Sequence, residues 1–92
     1  MEIINLENDL KLSFEKLPHT IRLIVSKDNQ ELVCRKEKLR NLFAFTKLIK
    51  AHFFKGRLQL CKSDDNIAIL FKNENIGAIS AESFKQVLNN LK

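Results

Sequence analysis

The chain has 92 residues, of which 45% are hydrophobic, and a formal net charge of +5. This length predicts one domain spanning 1–92, and this hydrophobic content excludes a disordered chain. The charge is unevenly spread, because residues 35–57 hold eight basic residues and one acid, whereas the rest of the chain holds eight basic and ten acidic residues. Clustered lysines and arginines raise a local positive potential, so the segment 35–57 indicates a surface for an anionic partner.

The sequence also favours one cellular location. Residues 1–5 have neither the basic region nor the apolar run of a signal peptide. No apolar run approaches the ~20 residues that cross a bilayer. Cys34 and Cys61 show no paired spacing pattern, so we expect two reduced thiols. These features predict a cytoplasmic protein without a membrane span.

The first elements predicted along the chain are a helix and a hairpin. Apolar residues recur at spacings of three and four from Ile3 to Leu17, which predicts a helix that ends before Pro18. A strand over 10–14 is the alternative. Alternating residues over 21–26, turn residues over 27–30 and an apolar run over 32–34 then predict a β-hairpin.

A long basic helix is predicted over 36–54. This stretch contains no Gly or Pro, and Leu39, Leu42, Ile49 and Phe53 fall on one face of a helix. Gly56 stands where a helix often ends, because its backbone readily adopts the left-handed conformation.

The second half is predicted to be mostly β-structure. Strands are expected over 57–62, 67–71 and 76–79, and a last helix begins at the N-cap Ser80. The element order is therefore α-β-β-α-β-β-(β)-α, with no convincing repeat. This order predicts an α+β fold in which helices pack on an antiparallel sheet of four to five strands.

The basic helix is the candidate binding site. At about 100° per residue, its lysines and arginines form a stripe beside the apolar face, with two phenylalanines on or next to that stripe. Cationic side chains neutralise phosphates, and an exposed aromatic ring stacks on a base. The candidate nucleic-acid-binding residues are Lys36, Arg40, Lys47, Lys50, Lys55, Arg57, Phe43 and Phe54.

Two other interpretations of this segment stay open. The basic stripe is also typical of a solvated helix face, or of a surface for an acidic protein or an anionic membrane. The apolar arc is wide enough to form a contact between two copies of the chain, so a homodimer is an alternative. That arc comprises Phe43, Phe45, Leu48, Phe53 and Phe54.

No pattern predicts catalysis, a metal site or a cofactor. His19 and His52 each stand alone in the sequence, and Asp64-Asp65 is typical of a solvated turn. The two glycines, Gly56 and Gly77, are too few and too far apart for a phosphate-binding loop. We therefore expect a protein that is not an enzyme.

Parts of the chain resemble two kinds of small protein. The element order is similar to that of the small two-layer chaperones of type III secretion. The strand Ile-Gly-Ala-Ile followed by the helix Ser-Ala-Glu-Ser-Phe-Lys-Gln-Val-Leu resembles the ends of small single-strand-binding β-sheet proteins. We expect a small non-enzymatic module that binds nucleic acid through the basic amphipathic helix 36–54. The alternative is a protein-interaction adaptor, chaperone or inhibitor that uses its apolar helix faces.

Overall fold

The computed structural model describes all 92 residues and contains eight strands, two α-helices and one 3-10 turn at Glu7–Asp9. They are β1 (Glu2–Asn5), β2 (Leu10–Lys16), β3 (Ile21–Lys27), β4 (Gln30–Glu37), α1 (Leu39–Thr46), β5 (Lys50–Phe53), β6 (Leu58–Ser63), β7 (Asn66–Phe71), β8 (Glu74–Ser80) and α2 (Ala81–Asn90). Strands β1–β4 form one antiparallel sheet in chain order, and β5–β8 form a second. The α+β class is confirmed. The single sheet and the element order expected from the sequence are wrong.

The two halves repeat one architecture, four strands followed by a helix. Hairpins β3–β4 and β7–β8 both turn through two residues with left-handed backbones: Asp28 and Asn29 in one, Lys72 and Asn73 in the other. The register shifts after Val25 in the first hairpin and after Ile69 in the second. Lys72 follows Asp28 by 44 positions, and Ile69 follows Val25 by the same number. This structural repeat was not predicted from the sequence.

The N-terminal segment is two strands, so the predicted helix is wrong and the alternative strand over 10–14 is confirmed. Asn8 and Asp9 have positive φ angles of 57° and 62°, which would interrupt a helix before its third turn. Beyond them, Leu10, Leu12 and Phe14 recur at every second position and belong to the hydrophobic core cluster. The alternation of apolar residues with a period of two therefore predicts the correct secondary structure. As a strand, β2 forms backbone hydrogen bonds with both β1 and β3.

The predicted helix over 36–54 is also wrong in extent. The segment contains the end of β4, the eight-residue helix α1, a short loop and β5. Ala51 and Phe53 of β5 pack against the core, and Phe53 pairs with Leu60 of β6. The ladder with β6 satisfies backbone groups that a longer helix would have satisfied internally, so tertiary pairing overrides the helical spacing. Ile49, expected in the buried stripe, is 72% exposed.

The other predicted secondary-structure elements agree with the structure. The hairpin β3–β4, the strands β6 and β7 and the strand over 76–79 all form. Helix α2 begins after Ser80, whose side chain accepts a hydrogen bond of 3.1 Å from the Ser83 backbone N–H. This contact satisfies one of the free donors at the start of the helix.

One hydrophobic cluster of 17 buried residues draws on both sheets and both helices. Phe84 of α2 contacts Phe14 of the first sheet and Phe45 of α1, with ring centroids 5.5 Å and 6.2 Å away. Lys62 is buried beside this cluster and is 7% exposed. Its Nζ donates to the carbonyls of Leu48 and Asp64, which ties the α1–β5 loop to the β6–β7 turn.

Candidate nucleic-acid interface

A chain of phenylalanine rings leads from the core to the surface. Phe45, which is buried, stacks on Phe53 at 5.1 Å with 13° between the ring planes. Phe53 in turn stacks on Phe54 at 4.9 Å and 27°. Phe53 and Phe54 are both half-buried. The outermost ring is therefore supported from below by two others and is accessible at one side.

The rings Phe53 and Phe54 line an open groove of about 430 Å³, together with Glu37, His52 and Lys55. We call this feature the aromatic groove. Phe54 adopts a φ angle of +68°. A bulky residue in the left-handed region is strained, by about 1–3 kcal/mol, and such strain persists only where surrounding contacts hold it. Strained residues concentrate at binding sites, so the groove is the first place to look for a ligand.

The β5–β6 loop, residues 54–57, is held in place through its backbone carbonyls. The Arg35 guanidinium of β4 donates to the carbonyl of Lys55. Gln59 Nε2 donates to the Gly56 carbonyl at 2.9 Å, and the Lys72 N–H donates to the Arg57 carbonyl at 2.8 Å. Three consecutive carbonyls are thus occupied. The side chains of Lys55 and Arg57 are left exposed on a fixed backbone.

Gly56 is required at the centre of this loop. Its φ angle is +91°, which L side chains rarely adopt. A Cβ at this position would lie 2.8 Å from the Arg35 Nη2 atom, closer than van der Waals contact allows. The backbone angle is what favours glycine here, because the guanidinium is the flexible end of a side chain and could move away from a Cβ. The prediction that Gly56 ends a helix is wrong, because it lies between two strands.

All six cationic candidate residues are exposed and lack an acidic partner. They are Lys36, Arg40, Lys47, Lys50, Lys55 and Arg57. Both ion pairs of the structure are made by Arg22, with Glu15 at 3.2 Å and with Glu31. Glu37, the single acid of the basic segment, instead accepts hydrogen bonds from the Lys38 N–H at 2.9 Å and from Asn41 Nδ2 at 2.8 Å. The positive charge of the segment is therefore not neutralised within the chain.

Arg22 is the one group whose pKa clearly shifts. Hydrogen bonding with the Cys34 side chain, and secondarily with Glu15, raises the pKa of its guanidinium. Arginine is already charged throughout the accessible pH range, so this shift creates no pH dependence. Arg22 lies outside the basic segment and already forms ion pairs with Glu15 and Glu31.

The structure brings some of the candidate residues together and separates others. Phe54 and Lys55 line the aromatic groove, and Arg57 lies two residues further along the same loop. Phe43 lies beneath the Lys92 ammonium, 5.0 Å from its ring centroid, and does not line the groove. Lys47 lines a different hollow, with Glu82 and Lys85 of α2.

The other three cations lie on different elements. Lys36 belongs to β4, where it pairs across the sheet with Arg22. Arg40 is in the first turn of α1, and Lys50 begins the edge strand β5. The single basic stripe expected on a helix is therefore a set of cations distributed over a strand, a helix, an edge strand and a loop.

Four residues of the aromatic groove and the adjoining loop contact were missing from the candidate site: Glu37, His52 and Phe53, which line the groove, and Arg35, which binds the loop. Arg35, which orders the loop, comes from the first sheet and is 20 positions away from its partner Lys55. Glu37 and His52 line the groove, but their proximity depends on how β4 and β5 are placed. The charge count did include Arg35 in the basic segment. Only its position on a strand facing the loop reveals its role.

Comparison with known proteins gives no further assignment. No known family, curated protein or solved structure matches this chain. No three His, Cys, Asp or Glu side chains are grouped closely enough to hold a metal ion. The longer of the two helices has ten residues, and neither is long and apolar enough to cross a membrane.

Proposed function

We propose that this protein binds single-stranded nucleic acid at the aromatic groove and the β5–β6 loop. The observation that carries the proposal is the stack Phe45–Phe53–Phe54, which ends in an open groove beside cations that have no acidic partner. Aromatic rings next to a positively charged track are what single-strand-binding surfaces combine.

The roles of the residues follow from their geometry. A base stacks on Phe54, while Lys55 and Arg57 neutralise the phosphates on either side of it. A base in a duplex is enclosed between its neighbours, so only an unpaired base can reach a ring inside a groove. The fixed loop backbone lowers the entropy lost on binding, because the carbonyls of 55–57 are already ordered.

Binding through phosphates and stacking is largely independent of sequence. Phosphate contacts position a nucleic acid without reading its bases, and every base has a π-face that can stack. We therefore expect similar affinities for mixed single strands. Duplexes of the same length should bind more weakly.

Fluorescence anisotropy with a labelled single-stranded oligonucleotide tests the proposal. At several salt concentrations, log K should fall linearly against log salt by about 0.7 per phosphate contact. The double variant Lys55→Gln/Arg57→Gln should reduce this slope by about 1.4, because two contacts are lost. The matched control Lys11→Gln/Lys16→Gln removes two exposed cations outside the basic segment and should leave the slope unchanged. Absence of binding at low salt, or equal effects of the two variants, would refute the proposal.

A protein-interaction role is supported by a separate observation. Leu48 and Ile49, adjacent in the α1–β5 loop, are 52% and 72% exposed. Neighbouring large apolar side chains on a surface are typical of a contact with another protein. If the oligonucleotide does not bind, this pair is the next surface to mutate, and Ile49→Lys would disrupt a partner contact there.

A further inference from the structure

Strand β1 is an edge strand whose outer side has no partner. It pairs with β2 alone, and no strand follows it in the first sheet. Such an edge presents unpaired backbone N–H and C=O groups that another strand can bind. Two of the four large apolar side chains that are most exposed belong to this end of the chain: Met1 at 71% and Ile3 at 54%.

The hydrogen-bond pattern shows which residues of β1 point outward. In an antiparallel pair, every second residue exchanges both backbone bonds with its partner, and the residues between direct theirs away. The Leu6 N–H donates to the Leu10 carbonyl, which continues the β1–β2 register. Because every second residue bonds to the partner strand, the backbone groups of Ile4 and Glu2, like those of Leu6, bond to β2. The backbone groups of Ile3 and Asn5 are therefore directed to the free edge.

The outward side chains of β1 itself, Ile3 and Asn5, are uncharged; Lys11 of β2, which pairs with Asn5, lies on the same face one strand further in. Ile3, Ser13 and Ile24 form a cross-strand row over β1, β2 and β3, and Ser13 and Ile24 are 7% and 8% exposed. Glu2, the one charged residue of β1, lies on the opposite face, where Asn90 Nδ2 donates to its carboxylate at 3.2 Å. No like charges would therefore meet if a second strand joined Ile3 and Asn5.

The equivalent strand of the second half differs at the corresponding positions. The Asp64 N–H donates to the Ile49 carbonyl, so the outward residues of β5 are Lys50 and His52. Charged side chains, lysine above all, are the usual protection of a free edge against pairing. Within one molecule, one edge strand is protected by a cation and the other is not.

We propose that two copies of this chain associate through β1, in antiparallel pairing across a twofold axis near Ile3. Ile3 of each copy then exchanges backbone hydrogen bonds with Ile3 of the other, Asn5 lies opposite Met1, and the two four-stranded sheets become one sheet of eight. The surface is self-complementary, because the outward side chains of Ile3 and Asn5 are neutral and a twofold axis turns the same edge onto itself. It is separate from the aromatic groove and from the helix faces that the sequence analysis considered for a homodimer.

Sedimentation equilibrium over a wide range of protein concentrations tests this contact. Pairing of two four-residue edges lies at the low end of specific interfaces, below ~1,200 Å², so we expect a concentration-dependent equilibrium between 10.7 kDa and twice that mass. Ile3→Lys adds a charge at the axis and should weaken dimerisation at least tenfold. Ile3→Pro removes an outward N–H without breaking the bonds to β2 and should have the same effect.

Two controls make the result decisive. Ile3→Val keeps a β-branched apolar side chain and should retain the dimer. Ile49→Lys places the same charge at the other exposed isoleucine and should also retain it. A wild type that is monomeric at every concentration, or a dimer that persists in both Ile3→Lys and Ile3→Pro, would overturn the proposal. A dimer lost in Ile49→Lys but kept in Ile3→Lys would overturn it as well, since the contact would then lie at the α1–β5 loop.

Discussion

Phe54 combines a strained backbone with a stacked side chain, and both features are explained if its ring serves a ligand. A phenylalanine that only filled the core would not need a left-handed φ angle of +68° or a position in an open groove. The strain is maintained by neighbours, because Phe53 supports the ring and Arg35 holds the carbonyl of the next residue.

Replacing this ring separates stacking from charge. Phe54→Leu keeps an apolar contact with Phe53 but loses the π-face, so oligonucleotide affinity should fall roughly 5- to 150-fold, the effect of losing one stacked base. The salt slope should not change, because no phosphate contact is removed. Phe43→Leu is the control, since Phe43 does not line the groove. Equal losses for the two variants in the anisotropy measurement would contradict the assignment of Phe54.

At the level of single residues, the candidate side chains lie together only where they are adjacent in the chain. Phe54 and Lys55 were expected to act together and do line one groove, because they are adjacent in the chain. Lys47 and Phe43 were expected on the same basic stripe, but they do not line the groove. The stripe required a helix over 36–54, whereas α1 ends at Thr46. The burial of Lys62, whose Nζ has two carbonyl partners, was not predicted, because these partners lie in two separate loops.

At the level of elements, the prediction was correct where the secondary structure depends on residues that are close together in the chain. The hairpin β3–β4 and helix α2 depend on turn residues and a capping serine, whose effects are confined to a few positions. Strands β1 and β5 depend instead on partners in β2 and β6, which lie beyond a loop. A helical spacing of apolar residues cannot reveal such a partner, so both segments were assigned to helices.

Two alanine substitutions test whether residues 36–54 form one continuous helix or are divided between α1 and β5. Leu42 of α1 is fully buried, so Leu42→Ala should lower the free energy of unfolding by about 2–4 kcal/mol through lost burial and a cavity. Ile49 is 72% exposed, so Ile49→Ala should change it by no more than about 0.5 kcal/mol. Urea denaturation monitored by circular dichroism gives both values. Similar losses for the two variants would mean that the continuous helix over 36–54 is the better description.

At the level of the whole molecule, the repeat is visible in geometry and hidden in sequence. Val33 is a buried core residue, whereas the residue 44 positions later is Gly77, where a Cβ would lie 2.9 Å from the Leu6 side chain. The close approach between β8 and the β1–β2 connection thus requires glycine in one half only. Equivalent positions carry different residues because each half packs against the other rather than against a copy of itself.

This mutual packing predicts that the two halves unfold together. Phe84 of α2 is fully buried against Phe14 of the first sheet, so Phe84→Ala should lower the free energy of unfolding by about 3–5 kcal/mol. Hydrogen exchange detected by mass spectrometry should show that the most protected amides of β2–β3 and of β6–β7 lose the same free energy of protection, since one core serves both sheets. Lys85→Ala, on the exposed side of the same helix, should leave both sets unchanged. If protection fell in β6–β7 while β2–β3 kept its wild-type value, each half would be stable on its own and the shared core would not be what couples them.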